Sequence, residues 1–164
     1  MYNDIGMVSL KDVYRSCSNN WEIHMQGKAR VRDFVERNPP TVDYGANLED
    51  VIKMMLSKGK TGIVVREGGE VIGVITSTDV TRIIVQGRNP ADVKVREFMT
   101  ACTLVGQNPC IQIKEDGYVL DALRLMLIGG VSRVLVVDSK GEFVGTISFL
   151  DALKAWRSIE SNVA

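Results

Sequence analysis

One short string occurs twice in this chain. Gly73-Val74-Ile75-Thr76-Ser77-Thr78-Asp79 is echoed by Gly145-Thr146-Ile147-Ser148-Phe149-Leu150-Asp151. Each copy reads as the end of a buried strand, a hydroxyl residue where the strand stops, and an aspartate three residues on, inside the first turn of a helix. Repetition constrains the fold strongly, because a unit that recurs must bury its apolar face against its own copy.

The surroundings repeat as well. Val31-Arg32-Asp33-Phe34-Val35 opens the first copy and Val95-Arg96-Glu97-Phe98-Met99 the second. Thr41-Val42, after Pro39-Pro40, is a short extended piece; Ile111-Gln112-Ile113 is its counterpart. Asn47 can cap a helix whose Leu48, Val51, Ile52 and Met55 share one apolar face. Val119, Ala122, Leu123 and Met126 restate that face, and Gly59 and Gly130 stop the two helices at the same offset. Ile63-Val64-Val65 and Val134 to Val137 read as buried strands. Each turns through a Gly-containing loop (Glu67-Gly68-Gly69-Glu70, Ser139-Lys140-Gly141) into a return strand. The second copy differs mainly by an insertion near Cys102 to Pro109.

Each copy therefore has the order strand, helix, strand, strand, helix, an α/β (α+β) unit. About 55 residues of this kind bury too little surface alone. Two helices would cover one sheet face and leave the other bare. Pairing the two sheets face to face covers both and leaves a cleft between the copies. We assign 1–28 to an N-terminal appendage, 29–88 to the first repeat and 89–164 to the second. In the appendage, Ser9 could cap a short helix, and Trp21, Ile23 and Met25 alternate like a weak strand.

Composition narrows the function. Twenty basic residues balance twenty acidic ones, which argues against a nucleic-acid or membrane-surface role. No apolar run approaches bilayer length, and Met1-Tyr2-Asn3-Asp4 lacks the basic start of a signal peptide. Three cysteines, Cys17, Cys102 and Cys110, without tight spacing suit free thiols and a cytoplasmic setting. His24 is the only histidine. No nucleophile–base pair, metal cluster or Walker loop stands out, so an enzyme is not expected.

The repeated motif has a local explanation: Thr76-x-x-Asp79 and Ser148-x-x-Asp151 are capping boxes, which need no ligand. Yet Gly73 and Gly145 permit close approach at the strand end. The helix N-terminus behind each hydroxyl suits a phosphate, and the nearby carboxylate suits ribose hydroxyls.

Taken together, the duplicated unit with Gly-Val-Ile-Thr-Ser-Thr-Asp and Gly-Thr-Ile-Ser-Phe-Leu-Asp resembles the tandem cystathionine-β-synthase (CBS) domain pair, or Bateman module, over about residues 29–157. The resemblance implies pseudo-two-fold symmetry, a cleft that binds AMP, ADP, ATP or S-adenosylmethionine, and a homodimer of modules. It places Asp79 and Asp151 on ribose, and Thr76 and Ser148 beside phosphate. Thr41-Val42 and Gln112-Ile113 become the adenine edge, and Ser132-Arg133 a phosphate-binding position. The first copy has Thr61-Gly62 where the second has Ser132-Arg133, so its site would draw charge from Lys60 or Arg82. The implied role is a sensor that relays occupancy to a target protein on another chain. A dimerisation scaffold with degenerate pockets is the competing reading.

Overall fold

The computed structural model of the chain describes residues 29–161; the Ser9 helix, the Trp21–Met25 alternation, His24 and Cys17 lie outside them. The elements are β1 (Thr41–Asp43), α1 (Leu48–Lys58), β2 (Gly62–Glu67), β3 (Glu70–Thr76), α2 (Ser77–Val85), β4 (Thr100–Ala101), β5 (Gln112–Lys114), α3 (Val119–Gly129), β6 (Arg133–Val137), β7 (Phe143–Ser148) and α4 (Phe149–Ser161). The first sheet has the order β1-β2-β3-β4 and the second β5-β6-β7. In both, the first strand runs parallel to the second and the hairpin that follows is antiparallel.

Alternation in the central strands builds a layered core. Ile63, Val65 and Ile75 face α1 and α2 with Leu48 and Val51. Val134, Val136 and Ile147 face α3 and α4 with Val119, Ala122, Ala152 and Ala155. The residues between them point the other way. Val64, Val74, Leu135 and Phe143 meet between the sheets, so the two halves pack sheet to sheet, with the period-2 logic of a strand buried on both faces. Helix ends follow their residues. Asn47 accepts the Asp50 amide at 3.0 Å to start α1. Gly59 (φ 61°) and Gly130 (φ 63°) end α1 and α3 in the left-handed conformation that favours glycine.

The opening segments of the two repeats are exchanged in space. Val31 packs in the core of the second half beside Val119, and its amide donates to the Gly117 carbonyl at 2.9 Å. Val95 packs in the first half beside Leu48, its amide on the Ala46 carbonyl at 2.9 Å. Each segment then runs along a foreign sheet edge. Thr100 and Ala101 pair with Val74 and Gly73, and Glu36 pairs with Thr146. A Cβ on Gly73 would stand 2.5 Å from the Thr100 carbonyl oxygen, and one on Gly145 would meet that of Glu36 closer still. The close approach that these glycines permit is therefore that of the exchanged backbone.

Candidate functional site

The strand-to-helix junctions position the repeated motif. Where β3 ends, Thr76 turns into α2, and the Asp79 carboxylate folds back on it. Asp79 Oδ2 accepts from the Thr76 amide and hydroxyl, both at 2.9 Å. The second junction repeats this: Asp151 Oδ2 accepts from the Ser148 amide at 2.9 Å and hydroxyl at 2.7 Å, while Ser148 Oγ accepts the Asp151 amide at 3.2 Å. Burial pushes the Asp151 carboxyl up, but the bonds from Ser148 and the neighbouring Lys154 outweigh it and hold the pKa below its ordinary value. The outer carboxylate oxygens face a lysine or arginine one turn on, Asp79 with Arg82 at 3.6 Å and Asp151 with Lys154 at 3.4 Å. The capping boxes are thus formed, and each aspartate keeps one oxygen directed outward with spare acceptor capacity.

A cleft of about 370 Å³ opens beside the first junction. Its walls are the ends of β2 and β3 with Thr76 to Asp79, the exchanged Thr100–Cys102, the loop residues Asn108 to Ile111, and Gly130 to Arg133. The start of α2 lines it, where the Ser77 amide is held by the Thr61 carbonyl at 2.8 Å and the helix dipole still suits an anion. Among the residues that sequence reasoning singled out, the fold brings Thr76, Asp79, Ser132 and Arg133 to this one cleft. Ser148 and Asp151 stand at the corresponding junction of the second half. Thr41-Val42 and Gln112-Ile113 do not line it. Val42 and Ile113 are core residues, Thr41 lies on the outer strand β1, and Gln112 bonds the Leu104 carbonyl at 3.0 Å. The chain reaches the cleft just upstream, at Ile111. Arg82 is exposed one turn behind Asp79, outside the lining.

Arg133 and Lys60 are both occupied. Arg133 Nη1 donates to Thr146 Oγ1 at 2.6 Å and to Glu36 at 3.1 Å. Lys60 holds the other oxygen of Glu36 at 2.9 Å. The Arg133 stem crosses Gly62, where a Cβ would lie 3.0 Å from Nε. The Thr61-Gly62 departure thus has a steric partner: glycine in the first half makes room for arginine from the second.

Sequence reasoning missed the loop that closes the cleft. Cys102 and Cys110 were expected as free thiols; they form a disulfide. The insertion folds back on itself, Thr103 donating to the Asn108 carbonyl at 3.0 Å and Cys110 to that of Thr103 at 2.8 Å. That return brings together sulfurs whose spacing along the chain signals nothing. The pairing also removes the cysteine count as an argument for a reducing compartment. Among the described residues no cluster of three or more potential metal ligands occurs, and no helix is long and apolar enough to cross a membrane.

The family model for the CBS domain matches twice, over residues 31–86 and 95–158. The chain belongs to the CBS domain family. Its two matched segments correspond to the two sequence repeats, each including the opening segment that packs in the other half. This CBS domain pair is 34% identical over 93 residues to an uncharacterized protein of Methanopyrus kandleri, covering 56% of this chain and 44% of that one. It is 27% identical over 122 residues to a homoserine O-acetyltransferase of Methanosphaera stadtmanae, covering 74% of this chain and 23% of that enzyme. The chain thus spans less than half the length of these curated relatives. Among solved structures, the CBS domain pair of protein MJ0100, in complex with 5-methylthioadenosine and S-adenosyl-L-methionine, superposes with a TM-score of 0.66 at 22% identity, covering 78% of this chain and 99% of that one. A CBS domain protein from Pyrobaculum aerophilum complexed with AMP gives 0.62 at 21% identity, covering 74% and 88%. At these identities the likeness is one of fold.

Proposed function

We propose that this CBS domain pair is a regulatory module that binds an adenosine ligand (AMP, ADP, ATP or S-adenosylmethionine) between its halves and relays occupancy to a target protein on another chain. The observation that carries the reading is the cleft where Thr76, Asp79 and the start of α2 face Ser132 and Arg133 from the other half. A carboxylate for ribose hydroxyls and a helix N-terminus for a phosphate then stand on one wall. The complexes of related folds with AMP, or with methylthioadenosine and S-adenosylmethionine, support the same ligand class. Because the lining is drawn from both halves, a ligand that prefers one spacing of the halves would shift the module towards it, which is the coupling a sensor requires.

The module is also proposed to pair as a homodimer. Leu127 and Ile128 on α3, and Leu150, Leu153 and Trp156 on α4, are exposed. An apolar group of this kind on paired helices is what a partner surface covers.

Calorimetric titration with AMP, ADP, ATP and S-adenosylmethionine is the direct test. Micromolar binding by one of them, weakened at least about tenfold (1.4 kcal/mol) by Asp79→Ala or Asp151→Ala in a folded protein, is expected. A second reading, a dimerisation scaffold without a nucleotide, is favoured by one feature: both aspartates are already engaged as caps. It predicts flat titrations and a melting temperature indifferent to every adenosine compound.

A further inference from the structure

The interface between the halves carries a charged cluster that has no counterpart across the pseudo-symmetry. Glu36 lies on the exchanged edge of the second sheet, its main chain bonded both ways to Thr146 at 2.8 and 3.0 Å. Its carboxylate is clamped between Lys60 at 2.9 Å and Arg133 at 3.1 Å. The side chains of Arg133, Glu36 and Lys60 are 14%, 22% and 35% exposed, so solvent screens them incompletely. Across the pseudo-symmetry the positions matching Glu36, Thr146, Arg133 and Lys60 are Thr100, Val74, Gly62 and Val131, and none of these carries a charge. Thr100, Val74, Gly62 and Val131 all line the open cleft.

That asymmetry has a consequence for ligand charge. Of the residues lining the cleft, only Asp79 and Arg133 carry charge. Nη1 of the Arg133 guanidinium is committed to Glu36 and Thr146. One carboxylate is shared by two cations, so a phosphate entering the cleft meets an arginine whose charge Glu36 reduces without cancelling. The Glu36 carboxylate opposes a phosphate while Arg133 attracts it, and partial burial leaves both incompletely screened.

Resting on the adenosine reading above, we propose that Glu36 sets how much ligand charge the module accepts. With its carboxylate on Arg133 and Lys60, the cluster offers a phosphate less positive charge than the two cations alone would, so the cleft gains less from each phosphate than it would without Glu36. Neutralising Glu36 releases Arg133 towards phosphate.

The test titrates the full chain with adenosine, AMP and ATP, as wild type, as Glu36→Gln, and as Glu36→Gln combined with Arg133→Met. The strand pairing of Glu36 runs through its main chain, so the glutamine variant keeps the edge. The double variant removes the charges of Glu36 and Arg133 together, and the more exposed Lys60 is the one cluster cation left without its carboxylate. Glu36→Gln is expected to raise ATP affinity about tenfold, with a steeper salt dependence, and to leave adenosine within about twofold. Adding Arg133→Met is expected to erase that gain. Equal changes for all three ligands, an unchanged ATP affinity, or a gain that survives without Arg133 would overturn the assignment while leaving the adenosine reading standing. Absence of binding by every compound to every protein would overturn both.

Discussion

Asp151 sits at the start of α4 with one oxygen held by Ser148 and the other facing Lys154. Its folded pKa lies below the ordinary 3.8. The stability it contributes is complete above that ordinary value and is lost as pH falls through the lower, folded one. Urea unfolding followed from neutral pH down to about pH 2 checks this. The wild type is expected to lose stability more steeply at the acid end than Asp151→Asn, which cannot titrate there. The same residue scale shows what was legible beforehand. Both capping boxes follow from a hydroxyl and an acid three residues apart, since their bonds are local. The Glu36–Arg133 pair spans 97 residues of chain, and no local pattern announces it.

At the scale of elements, α1 and α3 form where apolar spacing and a terminal glycine place them, and the hairpins turn where the loop residues stand. The exchanged segments are different. Val31-Arg32-Asp33-Phe34-Val35 opens the first repeat in the chain, yet it serves the core of the second half. The glycines at 73 and 145 exist for those crossings. Gly145→Ala is expected to push a methyl into the Glu36 carbonyl and cost about 1–3 kcal/mol or more, as overpacking does. Gly130→Ala, with a positive φ of 63° but open space around its Cβ, is expected to cost about 1–2 kcal/mol through the left-handed backbone alone. Comparative urea unfolding ranks the two. A Gly145 variant milder than the Gly130 variant would remove the close approach as the reason for that glycine.

At the scale of the molecule, the proposed dimer rests on the apolar residues of α3 and α4. Leu153→Glu places a charge in that group and is expected to convert a sedimenting dimer to a monomer with its circular dichroism unchanged. A dimer that survives the substitution would send the search for the interface elsewhere. The cleft itself is a product of this scale. Its walls come from β2, β3, the exchanged edge, the Cys102–Cys110 loop and the start of β6, elements that meet only once both sheets have packed.

The sequence by itself determined the repeat, the order of elements, the helix caps and the pairing of two sheets. Those depend on local periodicity and on the need of each copy to bury its bare face. Only the tertiary structure decided which opening segment joins which sheet, which loop closes the cleft, that Cys102 and Cys110 are joined, and that Arg133 crosses Gly62 to reach Glu36. These are contacts between residues distant along the chain. Their energies depend on how the packed halves approach, a distance that no spacing of residue types encodes.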